Sequence, residues 1–179
     1  MNSEEISRFI DEHGKSVYSF CCNLTGSRME ADDLYQDTFL KAFEMRRRLD
    51  NSDNPKSFIM GIAVNLWKNQ CRKKAGRQRI MTLQGYREKK VKEIESVQNM
   101  PEEQVIRREM QEEVRRIVGG LPKKIRMTMY LFYTAEMSIS EIAQILHVPR
   151  GTVKSRLHQG RELTKRCLEV NADGKRIDR

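Results

Sequence analysis

The sequence has no long hydrophobic run and no hydrophobic N-terminal leader. The longest stretch without a charged residue extends only from Ser16 to Ser27, which is much shorter than the ~20 apolar residues that a membrane-spanning helix needs. Residues Met1 to Glu5 include two acids and no apolar core, so a secretory signal is not expected. The sequence therefore predicts a cytoplasmic protein that does not itself insert into a membrane.

Cysteine and histidine are scarce, and they do not form the pattern of a metal site. The three histidines lie at no ligand spacing from the four cysteines, which contain no CxxC pair. This spacing predicts no metal, no cofactor and no disulfide framework, and reduced thiols are the expectation in a cytosolic chain. The cysteines are Cys21, Cys22, Cys71 and Cys167.

Charge is abundant but unevenly distributed. The 179 residues include 34 Lys and Arg against 25 Asp and Glu, a formal charge of +9. Residues 1–50 carry ten acids and seven bases, whereas residues 72–92 carry nine bases and one acid, and residues 150–169 six bases and two acids. A basic chain of this kind favours a polyanion as partner, nucleic acid first and an acidic membrane surface second. The excess of acids in residues 1–50 indicates that different parts of the chain have different partners.

Apolar residues recur at helical spacing along most of the chain, and no alternating strand pattern occurs. The sequence therefore predicts an all-α fold. Capping-box patterns at Ser27–Glu30 and Ser138–Glu141 predict two helix starts, and Asn54 before Pro55 predicts a third.

The helical pattern lapses between Gly76 and about Met100, where Arg, Lys, Gln and Glu dominate. This composition predicts two small helical bundles joined by a flexible linker. The predicted divisions are residues 1–75, a basic linker at 76–100, a second bundle at 101–170 and a disordered tail at 171–179.

The most specific pattern is a helix-turn-helix in the second bundle, at residues 142–157. A short helix with the small Ala143 is followed by a tight turn and a second helix whose Val153 and Leu157 face inward. The opposite side of that second helix, here called the reading face, carries donors and cations suited to a major groove. An ordinary helical hairpin with a solvated basic face is the alternative. The reading face consists of Arg150, Gly151, Lys154, Ser155, His158 and Gln159.

Two further patterns lie in the first bundle. Asp33, Asp37, Leu40 and Glu44 share an exposed helix face that can dock a basic protein surface, although charge alone favours a simply solvated face. The helix after Pro55 carries amides, cations and one tryptophan, which suit unstacked bases and phosphates. Its alternative is a tryptophan in the core with the lysines in water. The residues of this helix are Asn65, Trp67, Lys68, Asn69, Arg72, Lys73 and Lys74.

Together these motifs resemble the extracytoplasmic-function (group 4) sigma factors of the bacterial sigma-70 family. Ala31 to Phe39 resembles the acidic helix that binds the clamp helices of RNA polymerase in that family. Phe58 to Arg72 resembles the segment that opens and reads the −10 element, and Gly151 to Leu157 resembles the −35 reader. His147 and Glu136 stand where the family usually has Gly, so a positive φ is expected at His147.

The resemblance implies a non-catalytic subunit that binds core RNA polymerase, recognises two promoter elements and helps to melt one of them. It also implies an anti-sigma partner, which is often anchored in the membrane. A free-standing helix-turn-helix regulator is the alternative, and a helical nuclease is disfavoured because metal ligands do not cluster. The implied polymerase-binding residues are Asp33, Gln36, Asp37 and Leu40. The implied −10 residues are Asn54, Asn65, Trp67, Lys68, Asn69, Arg72 and Lys73. The implied −35 residues are Arg150, Gly151, Thr152, Lys154, Ser155, Arg156, His158 and Gln159.

Overall fold

The computed structural model describes the backbone of residues 3–50, 53–83 and 102–177, and the side chains of 8–49, 53–76 and 109–171. Within these ranges the chain forms helices and no strands, which confirms the all-α prediction. Two compact units divide the chain, at residues 1–97 and 98–179. The helices are α1 (Ser3–Thr25), α2 (Arg28–Glu44), α3 (Arg46–Asp50), α4 (Pro55–Leu83), α5 (Glu102–Gly120), α6 (Lys123–Tyr133), α7 (Ile139–Leu146) and α8 (Arg150–Ile177).

The first unit is built from α1, α2 and α4, each of which packs on the other two. Phe20, Leu34 and Ile59, one from each helix, are fully buried at its centre. Gly14 lets α2 approach α1 closely, because a Cβ there would lie only 2.8 Å from the hydroxyl oxygen of Tyr35. The unit thus holds the exposed faces of α2 and α4 on a packed scaffold.

The second unit packs α6 and α7 against α8. The capping box predicted at α7 is present, since the side chain of Ser138 accepts from the Glu141 amide and Glu141 accepts from the Ser138 amide. His147 ends the helix at φ 54°, as predicted, and Glu136 before the helix also has φ 54°. Glycine adopts this left-handed conformation more easily than His or Glu does.

Pro55 begins α4 as predicted, and the Asn54 side-chain oxygen accepts a hydrogen bond of 2.9 Å from the Ser57 amide. The capping box predicted at Ser27 is wrong, because Ser27 makes no side-chain cap hydrogen bond. Glu30 instead pairs with Lys74 on α4, with 2.6 Å between Oε1 and Nζ. A contact distant in sequence has replaced the local one.

Helix α4 continues beyond Gly76 to Leu83, and α8 continues to Ile177. The first residues of the predicted linker, and most of the predicted tail, therefore have helical backbone. Helix-favouring residues such as Arg, Gln, Leu and Met follow Gly76, and a single glycine costs a helix only about 1 kcal/mol. The remainder of the predicted linker, residues 84–100, lies outside the described residues. No helix in the described ranges combines the length and the apolar character needed to cross a bilayer.

Candidate protein and nucleic-acid interfaces

The first candidate interface is the outward side of α2. Asp33, Gln36, Asp37 and Leu40 are all exposed there, at the i, i+3, i+4, i+7 spacing of one helix face. We call these four residues the acidic face. On the opposite side of the helix Ala31, Leu34, Thr38 and Ala42 are buried, and Thr38 donates its hydroxyl to the Leu34 carbonyl at 2.6 Å. The buried side fixes which residues α2 presents outward.

Apolar side chains accompany the acids on this surface. Leu40 is 63% exposed, and Met29 and Phe43 on the same helix are 73% and 47% exposed. Residues 29, 33, 36, 40 and 43 follow a helical stripe, so the three apolar side chains border the acidic face. Phe43 lies on the outward side of α2, with the guanidinium carbon of Arg46 5.4 Å from its ring centroid. Exposed apolar groups next to unpaired carboxylates are typical of a protein-binding surface.

The carboxylates of the acidic face have no basic partner within the described side chains. Neither Asp33 nor Asp37 forms an ion pair there, whereas Lys41 is held by Glu44 at 2.7 Å and Lys74 by Glu30 at 2.6 Å. Asp32, one position earlier, accepts from the hydroxyl of Tyr18 at 2.8 Å. This hydrogen bond raises the pKa of Tyr18, because ionising the phenol would lose it. Asp32 is thus structural, while Asp33 and Asp37 face outward.

The second candidate interface is a row of amides and cations on α4. Asn65, Asn69, Arg72 and Lys73 are exposed, Lys68 is half-buried, and their spacing places them along one side of the helix. We call these five residues the amide–basic row. Arg72 donates to the side-chain oxygen of Asn69 at 2.5 Å, which orients both groups. Exposed Asn54 lies at the N-terminus of the same helix, with its side-chain oxygen engaged as the cap.

Trp67 does not belong to this surface. Its side chain is only 6% exposed, and it lies among the buried residues of α4 with Ala63 and Val64. This corrects the prediction that Trp67 meets DNA bases, and the alternative core position is the one observed. The reason is the period of the helix, which puts residue 67 on the side of 59, 60, 63 and 64. The tryptophan gains more from burial in the core than from exposure.

The third candidate interface is the reading face of α8. Val153 is fully buried and Leu157 is 3% exposed. Residues 150, 151, 154, 155, 158 and 159 are all exposed on the other side, while Thr152 and Arg156 are half-buried. The α7–α8 turn passes through His147, Val148 and Pro149, which line an open groove with Ser140 and Gln144. A short helix, a tight turn and a basic exposed second helix together have the geometry of a major-groove reader.

Two arginines lie on the borders of the reading face, and one of them has a partner that the sequence did not point to. Arg156 and Arg161 occupy opposite flanks of α8, given about 3.6 residues per turn. The Arg161 Nε donates to the hydroxyl oxygen of Tyr133 at 2.7 Å. Tyr133 is 51% exposed at the C-terminal end of α6. No sequence signal joins residues 28 positions apart, so this pair becomes visible only in the fold.

The described residues contain no cluster of side chains that could serve as a metal site. No group of three or more His, Cys, Asp or Glu side chains among the described residues could hold a metal ion. The four cysteines all lie among the described side chains and form no disulfide bond. Burial raises the pKa of Cys21 to about 12, so this thiol stays protonated at neutral pH.

Two regions of the chain match known family descriptions. Residues 9–77 match "Sigma-70 region 2" and residues 111–163 match "Sigma-70, region 4". The chain belongs to the sigma-70 family. The first match covers the acidic face and the amide–basic row of this sigma factor, and the second covers the helix-turn-helix.

Similar proteins assign this sigma factor to the extracytoplasmic-function group. It is 28% identical over 177 residues to the "ECF RNA polymerase sigma factor SigW" of Bacillus subtilis, covering 93% of this chain and 90% of the relative. It is 29% identical over 139 residues to the "ECF RNA polymerase sigma-E factor" of Escherichia coli K12, covering 74% and 71%. The function is therefore that of an RNA polymerase sigma factor rather than of a free-standing regulator.

A solved structure shares the fold of this sigma factor. RpoE of Bartonella quintana, crystallised in complex with the anti-sigma factor NepR, aligns with a TM-score of 0.74 at 22% identity, over 93% of this chain and 98% of that one. CnrH, in complex with the cytosolic domain of CnrY, aligns with a TM-score of 0.65 at 19% identity, over 94% and 90%.

Proposed function

We propose that each of the three exposed helix faces of this sigma factor binds a different partner. The acidic face of α2 binds core RNA polymerase, the amide–basic row of α4 binds the −10 element as it opens, and the reading face of α8 binds the −35 element. RNA synthesis is left to the polymerase, so the chain itself is not an enzyme. It acts on the chromosome as part of the holoenzyme, which places its work in the cytoplasm.

The observation that carries this proposal is the division of charge between exposed faces. Asp33 and Asp37 face outward, and Leu40 lies one turn further along the same face. No basic side chain among the described residues forms an ion pair with either aspartate. The reading face presents Arg150, Lys154 and His158 with buried Val153 behind them. Acids on one surface and bases on the others suit a protein partner for the first and DNA for the others.

Single-stranded bases are the ligand that fits the amide–basic row. Asn65 and Asn69 can donate to and accept from base edges, and Arg72 can stack on a base or bind phosphate. With Trp67 buried, stacking falls to the guanidinium rather than to an indole. Melting is favoured when the open strand is bound more tightly than the duplex. Asn54 stands at the loop before the helix, where a displaced base can enter.

Sequence reading is assigned to Lys154, Ser155 and their neighbours on the reading face. Their donors reach base edges when the start of α8 lies in the major groove. The Gly151 amide lies in the first turn of α8, where the helix terminus attracts a phosphate, whereas the Thr152 amide donates to the Pro149 carbonyl at 3.0 Å. Arg156, on the flank, is placed for a backbone phosphate rather than for a base.

An anti-sigma protein is the expected regulatory partner. Met29, Leu40 and Phe43 leave apolar area uncovered beside the acidic face, and a binder that covers this area would exclude the polymerase. The fold is shared with a sigma factor solved in complex with an anti-sigma factor. If that partner is anchored in a membrane, it would bring this chain to the bilayer without any insertion by the chain itself.

Transcription in vitro tests the proposed function. The purified chain is added to core RNA polymerase from its own species on a library of genomic fragments, and RNA starts are mapped. We expect starts that share two upstream elements at a fixed spacing and that vanish without the chain. Starts that are unchanged by the chain, with no association with core polymerase, would overturn the proposal.

A further inference from the structure

Tyr133 and Arg161 form a hydrogen-bonded pair at the edge of the reading face. The Arg161 Nε donates to the Tyr133 hydroxyl oxygen at 2.7 Å. The guanidinium carbon also lies 5.8 Å from the ring centres of both Phe132 and Tyr133. These two rings pack edge to face with centroids 5.0 Å apart. The aromatic pair at the end of α6 therefore restrains an arginine that belongs to α8.

This restraint lowers the entropy that the exposed Arg161 loses when it binds. A free arginine loses considerable rotamer entropy on binding, whereas a guanidinium that is already hydrogen-bonded loses less. Its bond to Tyr133 uses only Nε, so both terminal nitrogens can donate to another acceptor. No carboxylate among the described side chains forms an ion pair with Arg161. The positive charge is therefore available to an outside anion.

The position of Arg161 along α8 identifies that anion. Arg161 lies on the same side of α8 as Lys154 and His158, which are seven and three positions earlier. It also lies eleven residues beyond Arg150, a rise of about 16 Å along the helix. Because the major groove is about 12 Å wide, a helix that enters with Arg150 first brings Arg161 to the level of the phosphate backbone.

We infer that Tyr133 is a positioning residue that holds Arg161 against a phosphate of the DNA backbone beside the −35 element. The Tyr133 hydroxyl accepts from the Arg161 Nε, which leaves the two terminal guanidinium nitrogens to point outward. A phosphodiester can thus receive one or two hydrogen bonds from the restrained guanidinium. The pair contributes affinity and register but reads no base.

The inference rests on the proposed function, since it needs α8 to lie in the −35 groove. The test uses holoenzyme reconstituted from core polymerase and the full chain, with duplex promoter DNA. Dissociation constants are measured at several salt concentrations for the original chain, for Tyr133→Phe, for Arg161→Gln and for the double variant. Tyr133→Phe keeps the ring and removes only the hydroxyl. Arg166→Gln, an exposed arginine on a different side of α8, is the matched control.

We expect Arg161→Gln to weaken binding and to reduce the slope of log K against log salt by about 0.9, the value for one lost phosphate contact. Tyr133→Phe should weaken binding by about threefold, as for one lost hydrogen bond, and equally for every −35 sequence. In the Arg161→Gln background the same Tyr133 change should cost much less, because its effect acts through Arg161. Arg166→Gln should leave both affinity and slope nearly unchanged.

Three results would overturn the inference: no loss from Tyr133→Phe, a full loss in the double variant that equals the sum of the singles, or a loss confined to one −35 base. Thermal unfolding of each variant checks that lost affinity does not come from lost folding. Failure of the proposed function would look different. In that case the original chain would give no holoenzyme, or binding would not depend on the −35 element at all.

Discussion

Gly160 on α8 lies directly against Met129 on α6. A Cβ atom added to Gly160 would fall 2.6 Å from the Met129 sulfur, 2.9 Å from its Cγ and 3.1 Å from Cγ2 of Ile125. The first two distances are shorter than a real Cβ atom adopts without a shift of its neighbour, and the third is a tight contact. The missing side chain of Gly160 thus sets how closely α8 packs on the helix that supports it.

We predict that Gly160→Ala destabilises the second unit. Alanine adds helix propensity of up to about 1 kcal/mol, but overpacking a filled contact costs about 1–3 kcal/mol, so a small net loss is expected. Denaturant unfolding of the full chain measures it. Met129→Ala makes room, so the double variant should lose less than the sum of the two single changes.

A glycine without neighbours supplies the matched control. Gly151 has nothing within 4 Å of its Cβ position, and Gly151→Ala should leave stability unchanged or slightly improved. Equal destabilisation by both glycine changes would show that the close approach at Met129 is not the cause.

The acidic face gives a second prediction. Reversing Asp33 and Asp37 to Lys places like charges against a basic partner, and core polymerase should bind at least about tenfold more weakly. The control reverses Asp11 and Glu12, two exposed acids on α1, with the same change in net charge. Titration of labelled core polymerase measures both. Similar losses in the two double variants would mean that net charge, and not the acidic face, sets the affinity.

The reading face gives a third prediction, which separates base contacts from phosphate contacts. Lys154→Ala and Ser155→Ala should each cost about 1–3 kcal/mol and relax the preference at one base pair. Arg156→Ala should weaken all −35 sequences alike. Holoenzyme binding to a set of single-base −35 variants distinguishes the two patterns. A uniform loss for Lys154 and Ser155 would contradict base reading by these residues.

A fourth prediction follows from the burial of Trp67, the single tryptophan of the chain. Its fluorescence should be blue-shifted in the folded protein and poorly quenched by acrylamide. In a holoenzyme formed with a tryptophan-free core polymerase, the fluorescence should not change when single-stranded −10 DNA binds. Trp67→Ala should destabilise the first unit by about 3–5 kcal/mol.

Exposed residues of the same helix provide the contrast. Asn69→Ala and Arg72→Ala should weaken −10 DNA binding while stability stays within about 0.5 kcal/mol. Strong quenching of Trp67 by bound DNA would instead mean that the indole leaves the core on binding.

A fifth prediction concerns the cysteines. Burial raises the pKa of Cys21 from 9.0 to about 12, and Cys167 is exposed. At pH 8 an alkylating reagent should therefore label Cys167 rapidly and Cys21 only when the chain unfolds. Mass spectrometry of timed samples locates the label, and Cys167→Ser should remove the rapid phase. Rapid labelling of Cys21 in the folded protein would contradict its burial.

The same shift has a consequence for alkaline stability. The unfolded thiol ionises near its ordinary pKa of 9.0, whereas the folded thiol holds its proton until about pH 12. The contribution of Cys21 is thus complete below pH 9 and is lost progressively as the pH rises toward 12. Replacing Cys21 by Ala should flatten the pH dependence of unfolding in this window.

Local chemistry accounts for what could be predicted from the sequence. The capping box at Ser138 and the left-handed turn at His147 depend on neighbours within four residues, and both are found. The spacing of Asp33, Asp37 and Leu40 is also a local property, so their common exposed face followed from the helical period alone.

The features that could not be predicted from the sequence depend on contacts between residues that are far apart in the chain. Ser27 has the same local pattern as Ser138, yet Glu30 is taken by Lys74 from another helix. Trp67 was ambiguous because a helical pattern shows a side but not what packs on it. The Tyr133–Arg161 bond joins α6 to α8, and no spacing rule relates those positions.

Helix α2 packs on α4, with Glu30 and Lys74 paired between the two helices. An error in the orientation of α2 on the polymerase is therefore carried to the DNA-binding residues of α4. From Ile59 in the core to Lys73 in the amide–basic row, α4 rises about 21 Å. Were the polymerase to seat α2 with a tilt of about 10°, the rigid unit would swing Lys73 by about 3.6 Å, more than the length of a hydrogen bond. Accurate seating of the acidic face is therefore itself a condition for contact with the −10 strand, because α4 is one continuous helix from Pro55 to Leu83.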